Sequence, residues 1–209
     1  MNYIENRQLD CMSTQNESVK MFDNQFLESF THVTPYHVLA VWVPVICYFI
    51  YKALFISQTS IMMTGSLMIA GMAIWTLLEY WLHRIFFHYA DESKPWSIKM
   101  NFFVHGVHHN YPNDKTRLVM PPVAGILISQ VVYWPLLLLA GANTAALFAG
   151  IILGYIAYDM VHYATHHSTS QNKLFKILKR HHLKHHFNNH DLDFGVTNTF
   201  WDKVFGTKS

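Results

Sequence analysis

The sequence predicts an all-α integral membrane protein, and three observations support that fold class. Of the 209 residues, 51% are hydrophobic and only 13% are charged. The charged residues lie in blocks separated by long uncharged runs, a pattern typical of membrane proteins. Fifteen histidines are present, and most are clustered in or beside the polar blocks. The formal net charge of +2 is too small to indicate a nucleic-acid partner.

Residues 1–28 form a polar leader that lacks the apolar core of a secretory signal peptide. Phe22, Phe26 and Phe30 recur every four residues near its end. This spacing fits either a short amphipathic helix on the membrane surface or a packed turn that leads into the first span. We expect residues 29–209 to form a single domain.

Long uncharged runs predict four membrane-spanning helices, because about 20 apolar residues cross a bilayer as a helix. The run from Leu118 to Tyr158 is too long for one span. Pro135 and the break at Gly141-Ala-Asn143 are therefore expected to divide it into two helices. The predicted spans are residues 36–56, 60–82, 120–140 and 143–166, and the predicted cap consists of residues 83–118 and 167–209.

The loop charges predict the orientation of these spans. The turns at 52–60 and 141–143 carry only Lys52, whereas lysine and arginine are frequent in residues 84–117 and in the C-terminal tail. By the positive-inside rule, both termini and the cap are cytoplasmic. The sequence thus predicts a multi-pass protein of a bacterial inner membrane or the endoplasmic reticulum, with its histidines on the cytoplasmic side.

Four histidine patterns fall at the ends of the second and fourth spans or within the cap. Two are pairs, His-x4-His and His-x3-His, and two are His-x2-His-His triplets. A neutral imidazole binds metals, and a triplet that shares one helix face can close on a metal ion from a single element. A lone triplet could equally be a solvated basic face, but two triplets and two pairs favour a metal site. One ion takes four to six ligands, so ten histidines suit two ions. The predicted ligands are His83, His88, His105, His108, His109, His162, His166, His182, His185 and His186.

Polar residues beside these patterns are expected to orient the ligands. Glu79 lies one helical turn before His83, and Asp159 lies three residues before His162. A carboxylate at a span end can also be merely solvated, so both interpretations stay open. Three further histidines adjoin the patterns and are assigned to the surroundings of the ligands, with His181 the one most able to replace His182. These three are His167, His181 and His190.

The histidine patterns resemble the fatty acid hydroxylase and sterol desaturase superfamily of membrane enzymes. Two further strings, Tyr158-Asp-x-x-His-Tyr163 and Trp201-Asp-Lys-Val-Phe-Gly-Thr207, are similar to the fatty acid 2-hydroxylase group, which acts on sphingolipid acyl chains. The resemblance covers residues 79–207, about the C-terminal two-thirds. It implies four transmembrane helices under a cytosolic cap that holds a dinuclear iron centre.

The same resemblance implies a monooxygenase that uses dioxygen to hydroxylate carbon 2 of a long-chain acyl group, in a sphingolipid or ceramide. Zinc binds the same imidazole ligands and can replace iron in purified protein. No catalytic residue beyond the metal centre is implied. Many relatives carry a cytochrome b5 domain with a His-Pro-Gly-Gly motif, which is not found here. Electrons are therefore expected from a separate donor of cytochrome b5 or ferredoxin type with its reductase.

Two alternatives stay open at this point. A desaturase or sterol methyl oxidase of the same superfamily carries the same histidines, so the patterns do not separate these reactions. A metal-binding membrane transporter belongs to a different class. Transporters place their ligands near the bilayer midplane within broken helices, whereas these histidines gather at helix ends and beyond. That placement favours an enzyme.

Overall fold

The structure, a computed structural model, describes residues 17–91 and 93–209, and every regular element in those ranges is helical. An all-α fold is therefore confirmed for this part of the chain, whereas residues 1–16 of the predicted leader lie outside it. The helices are α1 (Gln25–Ser29), α2 (Pro35–Tyr51), α3 (Ile61–Trp81), α4 (Pro95–Asn101), α5 (Val107–Asn110), α6 (Pro122–Ala140), α7 (Thr144–His167), α8 (Lys173–Phe187) and α9 (Phe200–Val204).

Short segments of other helix types extend or join these helices. Three π-helical segments, Lys52–Ile56, Leu82–Phe87 and Phe102–Gly106, follow α2, α3 and α4 without a break. A 3-10 turn, Gly141–Asn143, joins α6 to α7. The chain reverses there because Gly141 adopts a φ of 53°, which a residue with a side chain rarely takes.

Three stretches of the described chain are long and apolar enough to cross a membrane: Pro35–Ile56, Ile61–Phe87 and Pro122–His167. The third spans 46 residues and contains both α6 and α7. The predicted break at Gly141-Ala-Asn143 coincides with the turn between them. Pro135 lies inside the predicted span 120–140 and inside α6, which continues through it, so the division falls at the turn alone.

Helix α7 is the centre of the bundle, and its neighbours run in alternating directions. Met68 of α3 meets Gly150 of α7, and Trp75, seven residues further along α3, meets Gly154, four residues further along α7, so the two helices are parallel. In contrast, Trp42 and Phe49 of α2 pack on Tyr155 and Phe148 of α7, respectively. In the same order, Gly125 and Tyr133 of α6 lie against Tyr155 and Phe148. Helices α2 and α6 are therefore antiparallel to α7. The last turns of α3 and α7 consequently lie at the same end of the bundle.

Two glycines let the backbones of α3 and α7 touch. A Cβ added to Gly150 would lie 2.1 Å from the carbonyl oxygen of Met68, and one added to Gly71 would lie 2.2 Å from that of Leu147. Small residues at such crossings are typical of helix pairs in membranes, where close packing replaces the hydrophobic effect as the main attraction. The contact holds the two histidine-bearing helix ends side by side.

A Gly150→Ala substitution should destabilise the protein by about 1–3 kcal/mol, because the added methyl group forces the two backbones apart. Thermal unfolding in detergent measures this effect as a lower Tm. Gly65 is the control, since it lies in α3, the partner helix of the same crossing, and a Cβ there meets nothing within 4 Å. A Gly65→Ala variant that loses as much stability as Gly150→Ala would contradict the close-packing account.

Candidate metal centre

The structure gathers all ten histidines named from the sequence at one end of the bundle. They form two groups of five, and within each group one ring nitrogen from every residue lies within 4.8 Å of the others. The first group is His83, His88, His105, His109 and His185; the second group is His108, His162, His166, His182 and His186. The groups adjoin, since the rings of His109 and His186 stack with centroids 4.1 Å apart.

Each triplet is divided between the two groups. His105, in the π segment Phe102–Gly106, and His109, in α5, belong to the first group, whereas His108, also in α5, belongs to the second. Helix α8 does the reverse, with His182 and His186 in the second group and His185 in the first. The expectation that one triplet closes on one ion from a single element is therefore wrong. Each group combines a pair from a span end, two residues four apart in the cap, and one residue from the other cap helix.

The pair His83 and His88 converges because the helix changes type between them. On a regular α-helix, residues five apart differ by about 140° and would point away from each other. Leu82–Phe87 is instead a π-helix, whose i→i+5 hydrogen bonds bring residues five apart nearly into line. The two rings lie 5.0 Å apart. The convergence of this pair therefore depends on the π turn.

The nitrogen spacing within each group fits a metal ion. In the first group the Nε2 atoms of His83 and His105 are 3.1 Å apart, and those of His105 and His109 are 2.9 Å apart. In the second group the Nε2 atoms of His108 and His162 are 2.9 Å apart. Two nitrogens about 2.1 Å from one ion lie about 3.0 Å apart at 90° and about 3.4 Å apart at the tetrahedral angle. These spacings fit five or more ligands around one ion better than a tetrahedral set.

The cap histidines are buried and favour the neutral form that a metal needs. Burial lowers the pKa of these imidazoles well below its usual value, and the neighbouring imidazoles lower it further. A neutral ring keeps a lone pair on one nitrogen. The histidines concerned are His105, His108, His109, His182, His185 and His186.

Two histidines of the first group are oriented by backbone carbonyls. His83 Nδ1 lies 2.5 Å from the Phe194 oxygen, and His185 Nδ1 lies 2.7 Å from the Leu192 oxygen. A carbonyl oxygen only accepts, so Nδ1 carries the proton and donates it. The lone pair of each ring then lies on Nε2, which points into the group.

Neither predicted carboxylate contacts a histidine directly among the hydrogen bonds of the described chain. Glu79 accepts from the backbone N–H groups of Val196 and Thr197, at 2.7 and 2.8 Å. Asp159 lies 3.4 Å from the backbone nitrogen of Met120 and close to the hydroxyl group of Tyr155. Glu79 therefore acts on the segment after α8, and a direct role in orienting ligands is not seen for either residue.

The three adjoining histidines lie outside both groups. His181 contacts Asp193 through Nδ1 at 3.1 Å and Asp202 through Nε2 at 3.0 Å. The ring of His190 packs on that of His109, with centroids 4.9 Å apart. The ring of His167 packs on Tyr163 at 4.7 Å.

Sequence reasoning missed Asp202, which lies in α9 and is fully buried. Burial alone raises the pKa of its carboxyl group, but hydrogen bonds from His181, the Gly195 N–H and Thr207 outweigh burial and hold the pKa below its usual value. The signal in the sequence was a lone carboxylate within the aromatic C-terminal string, where an unpaired charge would be costly.

Comparison with known proteins matches the sequence of this chain to one family. A family model for fatty acid hydroxylases matches residues 68–207. A dihydroceramide fatty acyl 2-hydroxylase of Arabidopsis thaliana, FAH2, is 40% identical over 197 residues, which covers 91% of this chain and 80% of that protein. The ceramide very long chain fatty acid hydroxylase SCS7 of Saccharomyces cerevisiae is also 40% identical, over 193 residues, with 91% of this chain and 49% of that protein covered.

A solved structure supports the same relationship. Full-length scs7p, of which only the hydroxylase domain is visible, superimposes with a TM-score of 0.83 at 39% identity. The match covers 90% of this chain and 71% of that chain. The sequence resemblance is thereby confirmed, and the chain belongs to the fatty acid hydroxylase family.

Proposed function

We propose that the chain is an oxygen-dependent hydroxylase that acts on carbon 2 of the long-chain fatty acyl group of a sphingolipid or ceramide. The observation that carries this proposal is the pair of five-histidine groups at the ends of apolar helices. The relatives named above, which are called 2-hydroxylases of dihydroceramide or ceramide hydroxylases, support the choice of reaction and substrate. A desaturase or sterol methyl oxidase is not among these names.

Each histidine group would hold one metal ion, and iron suits the reaction best. When bound, such a centre supplies the activation of dioxygen, in which a C–H bond, dioxygen, two electrons and two protons give a C–OH group and water. The residues of this chain present eight buried and two half-buried imidazoles at a site that is largely closed to solvent. The transporter alternative is weaker, since both groups lie at helix ends and in the cap, away from the middle of the helices.

The position of the groups suits a substrate with a polar head and a long tail. The tail would lie beside the apolar helices, and the head would contact the cap, so that the carbon next to the carbonyl reaches the histidines. Selection of carbon 2 requires the polar end to be fixed at a set distance from the centre. The parallel ends of α3 and α7 supply such a fixed position.

We further propose that α2, α3, α6 and α7 are four spans of one domain, residues 29–209, with the cap in the cytoplasm. The alternating directions of these four helices support this topology, because each connection then returns the chain across the bilayer. The membrane is a bacterial inner membrane or the endoplasmic reticulum. A separate protein of cytochrome b5 or ferredoxin type, with its reductase, supplies the electrons.

Metal content tests the site. Protein purified without chelators should hold two ions per chain by elemental analysis. His88→Ala and His166→Ala should each lower this to about one, because they truncate the half-buried histidine of one group each. His37→Ala should keep both ions, since His37 is exposed in α2 and outside both groups. Wild-type protein that holds one ion or none would contradict the proposal.

Labelled dioxygen tests the reaction. A host that expresses the protein should form sphingolipids with a hydroxyl group at carbon 2, and mass spectrometry should find the label in that group. A host that expresses His185→Ala should not, because the variant lacks a member of the first group. A double bond in place of the hydroxyl group would indicate desaturation. An unlabelled product, or no change in the lipids when the electron donor is supplied, would contradict the hydroxylase.

A reporter fused after Ser209 tests the topology. It should report a cytoplasmic location, because the proposed four spans place both termini on the side of the positively charged cap. A fusion in the turn at 141–143 should report the opposite side. A cytoplasmic signal from both fusions would contradict the division of residues 122–167 into two spans.

A further inference from the structure

The two histidine groups differ in what contacts the outer nitrogens of their rings. In the first group, the carbonyls of Phe194 and Leu192 accept hydrogen bonds from Nδ1 of His83 and His185. Nδ1 of His109 in the first group, and of His108, His182 and His186 in the second, is buried and has no hydrogen-bond partner in the described residues, while His162 of the second group is held by the backbone of Leu118. The described hydrogen bonds therefore tie the carbonyls of residues 192 and 194 to two rings of the first group and to none of the second.

The carbonyls that do this belong to residues 192–197, which we call the carbonyl loop. Glu79 holds one end of the loop. Its Oε1 atom accepts from the N–H groups of Val196 and Thr197, and its Oε2 atom accepts from the Thr197 hydroxyl at 2.5 Å. Glu79 is 2% exposed, so these hydrogen bonds are shielded from water.

Asp202 holds the middle of the carbonyl loop. Its Oδ1 atom accepts from the Phe194 N–H and its Oδ2 atom from the Gly195 N–H, both at 2.8 Å. His181 also contacts Oδ2, at 3.0 Å, and lies in α8 four residues before His185. Asp202 thereby ties the loop to the helix that carries one of the two oriented rings.

We propose that Glu79 and Asp202 are positioning residues for the first histidine group alone, which act through the carbonyl loop to fix the rings of His83 and His185. This inference rests on the proposed function, in which each group holds one ion. It makes the two ions unequal: retention of the first depends on two remote carboxylates, and retention of the second does not. Loss of such outer partners typically lowers metal affinity roughly 10–100-fold.

The test compares Glu79→Gln and Asp202→Asn with a matched control, Asp191→Asn. Asp191 is an exposed carboxylate directly before the carbonyl loop, so its change removes the same charge without touching a loop hydrogen bond. After dialysis against a fixed concentration of chelator, each of the two positioning variants should hold about one ion per chain, and the control should hold two. Thr197→Val, which removes only the hydroxyl bond to Glu79, should show a smaller loss of the same ion.

Double variants identify the ion that is lost. Glu79→Gln combined with His88→Ala should still hold one ion, because both changes act on the first group. Glu79→Gln combined with His166→Ala should hold almost none, because the second group is also damaged. Circular dichroism and size-exclusion chromatography confirm that each variant is folded. Visible absorption on addition of Co²⁺ gives an independent measure of one or two occupied sites.

Three results would overturn the inference while leaving the proposed function intact. These are two ions retained in both positioning variants, both ions lost together from a folded variant, or the same ion count in the two double variants. Wild-type protein without bound metal under these conditions would instead remove the proposed function. If Glu79→Gln does not fold, Thr197→Val combined in turn with His88→Ala and His166→Ala decides the question by the same comparison.

Discussion

The backbone contact between α3 and α7 sets the distance between the two histidine pairs that leave those helices. Gly71 and Gly150 bring the chains together, and the helices run parallel, so both pairs arrive at the same end of the bundle. A larger residue in place of Gly71 or Gly150 would push the two helices apart and so increase the distance between the two histidine pairs. The cap then adds six further imidazoles to these two pairs, whose separation the helix contact has already set.

Much of this arrangement follows from sequence patterns, and the reasons for the exceptions are physical. The uncharged runs gave helix limits close to those of α2, α3, α6 and α7, because apolar length is a strong signal in a membrane. The same ten histidines that the spacing singled out are the ten that converge. The division of each triplet could not be predicted, because residues three and four apart share a face and two neighbouring ion positions can both lie in front of it. The packing of His109 on His186 in the structure reveals that closeness.

Carboxylates were harder to assign than histidines. Glu79 and Asp159 lie near ligands in the sequence, yet on a helix a side chain one turn away faces whichever neighbour the tertiary fold supplies. Glu79 meets the backbone of residues 196–197, and Asp202 meets that of residues 194–195. Both carboxylates accept hydrogen bonds from backbone N–H groups. Every residue except proline has such a group, so the partners cannot be recognised from the spacing of side chains in the sequence. The signal available in the sequence was the carboxylate of Asp202 within an apolar string, because a buried charge requires a partner. The sequence does not show which residue that partner is.

The π turn at Leu82–Phe87 lets two histidine pairs of different spacing, one after α3 and one at the end of α7, adopt similar geometry. His162 and His166 are separated by three residues on an α-helix, whereas His83 and His88 are separated by four across the π turn, yet both pairs present two rings to one point. A π turn accommodates one extra residue in a helix without changing the direction in which the flanking side chains point. The two motifs, His-x4-His and His-x3-His, therefore place their two rings in the same way although their spacing differs by one residue. A residue gained or lost at this position during evolution would leave the pair intact, so descendants of one site need not share one spacing.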